Sequence, residues 1–334
     1  MILPLNSLRK DEYMYRFILK RLLMMIPVVL GVSFVVFTMM YITPGDPAQL
    51  ILGDSATDKN IQMLREELGL NDSFLVQYGT YIKNAVLHGD LGTSYTTKRP
   101  VTEEILDRFP TTMLLASLSV LVAVIIGMTA GIIAATRQYS IFDNIATVFS
   151  LMGVSMPNFW QGLMAIILFA VWLGWLPASG FGGPKYWILP ALTIGTSAAA
   201  TIMRMTRSSM LEVIRQDYIR TARAKGQTER VVIMRHALKN ALIPVITVVG
   251  LQFGYLLGGA VLTESIFSIP GIGKLMVDAI KLRNFPMVQG GVFFIAIVFS
   301  FVNLAVDILY AYADPRIKSQ YGGRKAVKRE VTNG

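Results

Sequence analysis

Few residues in this 334-residue chain have the types and spacing needed for chemistry. It has two histidines, His88 and His236, and no cysteine. Disulfides and thiolate metal sites are thereby excluded. The two imidazoles fall on opposite sides of a bilayer in the topology derived below, so they form neither a metal cluster nor a nucleophile–base pair. The stretch "SIPGIGKL" ends like a phosphate-cradling loop, which requires Gly-x-x-x-x-Gly-Lys followed by Ser or Thr. Here Ser268 stands at the first glycine and Leu275 replaces the hydroxyl after Gly273-Lys274. No catalytic residue is expected, and no bound cofactor. What remains are polar groups in or beside apolar runs. A charge at mid-bilayer costs about 2.5–3.5 kcal/mol on insertion scales, so such groups mark either a path or a helix–helix bond. Asn158 and Gln161 are candidates for a polar path across the bilayer, and Glu264 for a position near its outer gate. Asp307, close in sequence to Arg316, is expected to be structural.

The elements that must carry these residues follow from composition. Hydrophobic residues make up 53% of the chain and charged residues 16%, with a mean hydropathy of +0.52. Soluble domains carry about 25% charged residues, so the chain is read as a membrane protein. A span needs roughly 20 apolar residues. Runs at 22–42, 111–135, 145–176, 186–203, 241–263 and 285–306 meet that requirement and predict an all-α polytopic protein with six transmembrane helices. The third run is either one tilted helix or a helix broken near Pro157, and is counted as one span. The first run is too long for a signal-peptide core and lacks a small-residue cleavage pattern, so it is expected to remain as a helix. Met14 is an alternative start.

Placing the positive charge sets the orientation. With the N-terminus inside, cytoplasmic segments hold 21 of the 31 Lys and Arg residues, nine of them between spans four and five. The net charge of +10 is therefore a topology signal rather than a nucleic-acid footprint. The expected layout is a cytoplasmic N-terminus (1–21), a first helix (22–42) and an extracytoplasmic loop (43–110). A five-helix core (111–313) contains a cytoplasmic loop at 204–240, and a cytoplasmic tail (314–334) ends the chain. Within the outer loop, "TDKNIQMLREELGL" and "NDSFLVQYGTYIKNAVLHGDLG" each combine a capping residue, helical apolar spacing and a terminal glycine, predicting two short amphipathic helices.

The segment "DYIRTARAKGQTERVVIMRHALKNALIPV" (217–245) is helix-forming, basic, and interrupted by Gly226, with Gln227 or Thr228 able to restart the helix. Pro244 is expected near the start of span five, where its missing N–H does least harm. A positive anchor on anionic lipid would explain the charge. It would not explain Thr221, Ala222 and Ala224 beside a glycine turn, which suit an element that inserts into a partner's groove.

That spacing resembles the signature loop of ABC importer permeases, Glu-Ala-Ala-x-x-x-Gly followed by a hydrophobic residue and Pro. Aligned on Gly226, Arg220 stands at the family's Glu, Thr221 and Ala222 at its alanines, and Ile243-Pro244 at its end. "YIRTARAKG" is closer to the peptide and nickel branch. "TPGDP" (43–47), "HGDLGTS" (88–94), "RMTRSSMLEV" (204–213), "FSIPGIGKL" (267–275) and "ADPRI" (313–317) extend the likeness along the chain.

The resemblance implies a type I importer fold and a B-type permease for dipeptides or oligopeptides, with glutathione and nickel permeases as near relatives. It implies a coupling loop of Arg220, Thr221, Ala222, Arg223, Ala224, Lys225, Gly226, Ile243 and Pro244. Implied partners are a homologous second permease or a second copy of this chain, two ATPase subunits that bind ATP and Mg, and an extracytoplasmic solute-binding protein or lipoprotein. The implied location is a bacterial or archaeal cytoplasmic membrane, with both termini cytoplasmic. A stand-alone secondary transporter or channel would instead show coupling acids near mid-membrane or an inverted repeat, and neither is evident.

Overall fold

A computed structural model describes residues 5–53 and 56–313, all of it helix and connecting turns apart from one isolated β-bridge between Thr93 and Pro100. The motif at 313–317, Arg316 and the tail at 314–334 lie outside the described residues, save Ala313. Among the described residues, five helices are long and apolar enough to cross a membrane, or six if one bent pair counts as a span. The chain divides into two compact units: 1–114 with 179–181 and 257–300, and 115–178 with 182–256 and 301–334.

The first unit begins with α1 (Leu5–Ile42), α2 (Pro47–Leu52), α3 (Asp58–Glu67) and α4 (Phe74–Leu87). The "TPGDP" motif has a local cause. Asp46 caps α2 by accepting the Ala48 N–H at 3.0 Å, and Pro47 occupies the first helical position, where no N–H is needed. The two amphipathic helices predicted in this loop are α3 and α4, with Gly69 and Gly89 following them at φ +64° each. Aromatic rings fasten α4 to α1. Phe34 and Phe37 meet Phe74 and Tyr78 edge-on, and the Ser33 and Tyr78 hydroxyls are 2.9 Å apart. "HGDLGTS" is held by Asn284, whose amide donates to Ser94 Oγ and accepts the Tyr95 N–H.

The apolar core of this unit gathers Leu91, Val101, Ile105, Ile272, Met276, Met287 and Phe293. These residues come from α5 (Val101–Thr136), α13 (Ile272–Lys281), α14 (Phe285–Ala313) and the turn before α5. Helix α5 thus starts ten residues before the apolar run that predicted it. Its first turns are amphipathic and pack on protein, so hydropathy alone did not mark them. Pro110 lies inside α5.

In the second unit α5 continues into α6 (Ile141–Ser155), α7 (Asn158–Ala165, prolonged by a π-helical turn at Ile166–Trp172) and α8 (Lys185–Ile214). Then come α9 (Asp217–Ala224), α10 (Glu229–Val231, followed by π-helical Val232–Ala237) and α11 (Leu238–Gly259). The short α12 (Val261–Ile266) returns the chain to the first unit. Small residues let α5 and α8 approach closely. Ala123, Ala198, Ala199, Ile202 and Val245 form one buried cluster.

The third apolar run is the main departure from a simple helix count. It bends by 105° between α6 and α7. Pro157 is the cause. It removes a backbone donor and drives the preceding Met156 out of helical geometry, to φ −81° and ψ 126°. Gln161 then repairs the corner by donating to the carbonyls of Met156 and Gly153.

Candidate functional site

The loop singled out by its sequence folds as a helix, a glycine turn and a second helix. Asp217 lies in the first turn of α9 and Arg223 in its last, the arrangement the helix dipole favours. Lys225 ends the helix, and Gly226 takes φ +77°, a conformation costly for any residue with a Cβ. Thr228 then precedes α10 in extended geometry. Across the turn Arg223 makes a two-pronged ion pair with Glu229, at 2.6 and 3.3 Å. Glycine sets the direction of the turn, and the ion pair closes it on its open side.

Helix α9 has two unlike faces. Ile219 is fully buried and Ala222 is 9% exposed. Both join Met210 of α8, Ala135 of α5, and Val232, Ala237 and Ala241 in one apolar cluster. Tyr218 OH also accepts from Asn240 Nδ2 at 2.8 Å. Arg220, Thr221, Arg223, Ala224, Lys225 and Gly226 are exposed. One side of α9 is thus bolted to its own chain, and the other is a polar, basic ridge with one small apolar residue. The expectation that Ala222 inserts into a partner is corrected: it packs inward, three residues from Ile219 on the same face. Ala224 has the open position.

Ile243-Pro244 requires a second correction. Pro244 sits inside α11, within a helical stretch running from Glu229 to Gly258, and not near a helix start. The helical pattern persists through the loop because Val232, Ala237 and Ala241 are buried beneath α9. A buried face extends a helix past the point where hydropathy would begin it. His236 lies in the π-helical turn of this stretch.

Glu264 is the third correction. It is fully buried in protein, beyond the end of α11, rather than open to a path. Its carboxylate accepts from Thr112 Oγ1 at 2.7 Å and from the Lys274 N–H at 3.0 Å, with a further backbone bond from Gly273. Thr112 Oγ1 in turn accepts the Ile272 N–H. Burial raises the pKa of Glu264 above the ordinary carboxylate range, while these donors draw it back. The "PGIG" stretch is shaped around this group: a Cβ on Gly271 would lie 2.3 Å from the Glu264 carboxyl carbon. The amides of Gly273 and Lys274 are spent on a carboxylate at the first turn of α13. The site ties α5, α12 and α13 together.

Gln161 is likewise engaged. Besides its two bonds across the α6–α7 corner, its Oε1 accepts from Thr196 Oγ1 of α8 at 3.1 Å. Asn158 opens α7 and is partly buried. Of the candidate path residues, Glu264 belongs to the first unit, Asn158 and Gln161 to the second. Sequence reasoning missed the strongest polar contact in the second unit, Asp143 with Arg207. The sequence signalled only the place of Asp143 at a helix start, because "SIFD" has the Ser-x-x-Asp form of a helix-capping pattern. Ser140 Oγ accepts the Asp143 N–H, and Asp143 accepts the Tyr139 N–H.

The family described as binding-protein-dependent transport system inner membrane component matches residues 127–319, and its N-terminal companion matches residues 14–116. A dipeptide transport system permease of Alkalihalophilus pseudofirmus is 48% identical, over 91% of this chain and 100% of its own. The glutathione transport system permease of Escherichia coli K12 is 44% identical, over 91% of this chain and 99% of its own. Among solved structures, an inward-facing methionine ABC transporter, MetNI, superposes with a TM-score of 0.51 at 19% identity, covering 63% of this chain and 96% of that one. That last likeness carries the fold alone. The matches to family and relatives, together with a helical architecture of five to six candidate spans, show that the chain belongs to the binding-protein-dependent transport system inner membrane component family, as a permease subunit of an ABC importer.

Proposed function

We propose that the chain moves dipeptides or oligopeptides inward and takes its driving motion from separate ATPase subunits through the α9–Gly226 turn. The observation that carries the coupling reading is the two-faced α9. Its inner face is buried against α5, α8 and α11, and its outer face has Ala224 among exposed Arg220, Arg223 and Lys225. A push on the outer face is therefore delivered to three long helices without slack. A partner groove accepts a small residue at 224 and supplies acids to the basic ridge. ATP and Mg belong to the two ATPase subunits, and a second permease, homologous or identical, completes the path. An extracytoplasmic solute-binding protein or lipoprotein delivers the substrate. Positive charge around α9 supports placing this loop and both termini in the cytoplasm, with the loop 43–110 outside.

The peptide assignment rests on the dipeptide relative. Glutathione, itself a tripeptide, is the second reading and rests on the Escherichia coli relative. Binding assays on the cognate solute-binding protein separate the two, since a dipeptide preference supports the first and a glutathione preference the second. The chain has no native Cys, so the coupling reading has a direct test. Cys introduced at Ala224 should cross-link to a Cys in the ATPase groove of the assembled importer. No cross-link anywhere in a scan of 220–228 would remove the reading. An introduced Cys at Ser73 should react with an impermeant thiol reagent in intact cells, and protection there would invert the orientation.

A further inference from the structure

The motif "RMTRSSMLEV" contains Arg207, and the coupling loop does not use it. Arg207 Nε lies 2.6 Å from Asp143 Oδ1, and Nη2 lies 2.8 Å from Oδ2. The Asp143 side chain is 3% exposed and that of Arg207 28%. Asp143 also accepts the Tyr139 N–H, so its carboxylate is held by both a guanidinium fork and the turn that begins α6. A bidentate pair of this burial is unlike an exposed ion pair. Its geometry is fixed, and removing one partner strands the other.

Its place in the fold gives the pair a consequence. Arg207 is on α8, one helical turn before Met210, the residue on which Ile219 and Ala222 of α9 are packed. Asp143 is in the first turn of α6. At the far end of α6, Gln161 bridges the Pro157 corner and takes a hydrogen bond from Thr196, again on α8. Between these points Gly153 of α6 lies close to Ala200, where an added Cβ would be 3.3 Å from the alanine methyl. Helix α8 therefore bears α9 at one end and is pinned to α6–α7 at two levels. Only the Asp143–Arg207 pin is charged, bidentate and next to α9.

We propose that Asp143 is a positioning residue for coupling: with Arg207 it fastens α6 to the helix that bears α9, so that displacement of α9 carries the α6–α7 corner with it. This rests on the coupling reading of α9 given above. Without the pin, α8 still follows α9, but the corner lags behind. The distinguishing sign is hydrolysis without transport, since the ATPase contact lies on the opposite, exposed face of α9 and does not involve Asp143.

The test uses the complete importer in proteoliposomes, with permease pair, ATPases and solute-binding protein, and reads ATP hydrolysis and labelled dipeptide uptake together. Asp143→Asn and Arg207→Lys should assemble and hydrolyse ATP at near wild-type rates. Peptide moved per ATP should fall about tenfold, the scale on which mutations along a coupling network act. In a second arm, the Asp143→Cys/Arg207→Cys pair should be uncoupled when free. It should regain most of its transport per ATP when joined by a short bifunctional thiol reagent that leaves the Cys-free wild type unaffected. Three results would overturn the proposal: an unchanged ratio in Asp143→Asn, a parallel loss of hydrolysis, uptake and assembly, or no recovery on cross-linking. Ala224→Trp in the same assay separates this from failure of the coupling reading. If it leaves hydrolysis and uptake intact, α9 is not the ATPase contact, whatever Asp143 does.

Discussion

Two glycine-bearing loops of this permease solve the same local problem in opposite ways. The loop 267–275 closes on itself: Glu264 is fully buried and receives a hydroxyl and two backbone amides. The loop around Gly226 closes on one side only. Ile219 and Ala222 are buried, but Arg220, Thr221, Ala224 and Lys225 are exposed to whatever covers α9. A loop whose buried carboxylate is satisfied internally acts as scaffold. A loop that buries one face and leaves a basic ridge open is rigid enough to transmit force and still has a surface to receive it. The contrast separates a part of the chain that holds helices in place from the part that, in the proposed coupling, takes an input.

The contrast is sharpened most by Gly271→Val. A Cβ there falls 2.3 Å from a buried carboxyl carbon, so either the carboxylate must leave its three donors or α12 and α13 must separate. No stable, monodisperse subunit should be recovered from membranes, and normal recovery would show that the first loop is not closed as described. Glu264→Ala is next. It leaves the Thr112 hydroxyl and two amides without their acceptor, at about 1–3 kcal/mol for each buried unsatisfied group, so thermal unfolding in detergent should shift down by several degrees. Because the pKa of Glu264 is raised in the folded protein, the native state binds its proton more readily than the unfolded chain does. Its contribution is therefore full below the ordinary glutamate range and declines as pH rises through the folded value. Glu264→Gln should flatten that decline in a pH series of unfolding temperatures.

Smaller stability effects belong to the open loop. Ala222→Trp overpacks the cluster under α9 and should lower stability by about 1–3 kcal/mol, together with transport. Ala224→Trp, two residues on but exposed, should leave unfolding unchanged within about 0.5 kcal/mol while abolishing ATPase attachment. Equal destabilisation by the two tryptophans would erase the distinction between the faces. Arg223→Gln should be the mildest. It opens an exposed pair with Glu229, and such pairs are worth about 0–1 kcal/mol. Peptide uptake should fall less than with Ala224→Trp.

Much of the architecture was legible from residue order, because its causes act over a few residues. Apolar runs marked the spans, Asp46-Pro47 carried the start of α2, and Gly69, Gly89 and Gly226 lay where left-handed turns end helices. The basic character of α9 and its turn followed from Arg220, Arg223 and Lys225 in the order of residues. Four features were decided only by tertiary structure. Ala222 and Ala224 are the same residue two positions apart, and which one faces inward depends on Met210, Ala135 and Val232 arriving beneath Ile219. Glu264 sits beside an apolar run, where hydropathy suggests an interface, yet Thr112 comes from a helix 152 residues away to bury and satisfy it. Pro244 lies inside a helix because buried contacts continue the helix through the loop before it. Asp143 meets Arg207 across 64 residues of sequence. Propensity, capping and glycine geometry are properties of neighbouring residues and can be read in order. Burial and charge pairing are set by which distant helices pack together, which no local pattern encodes.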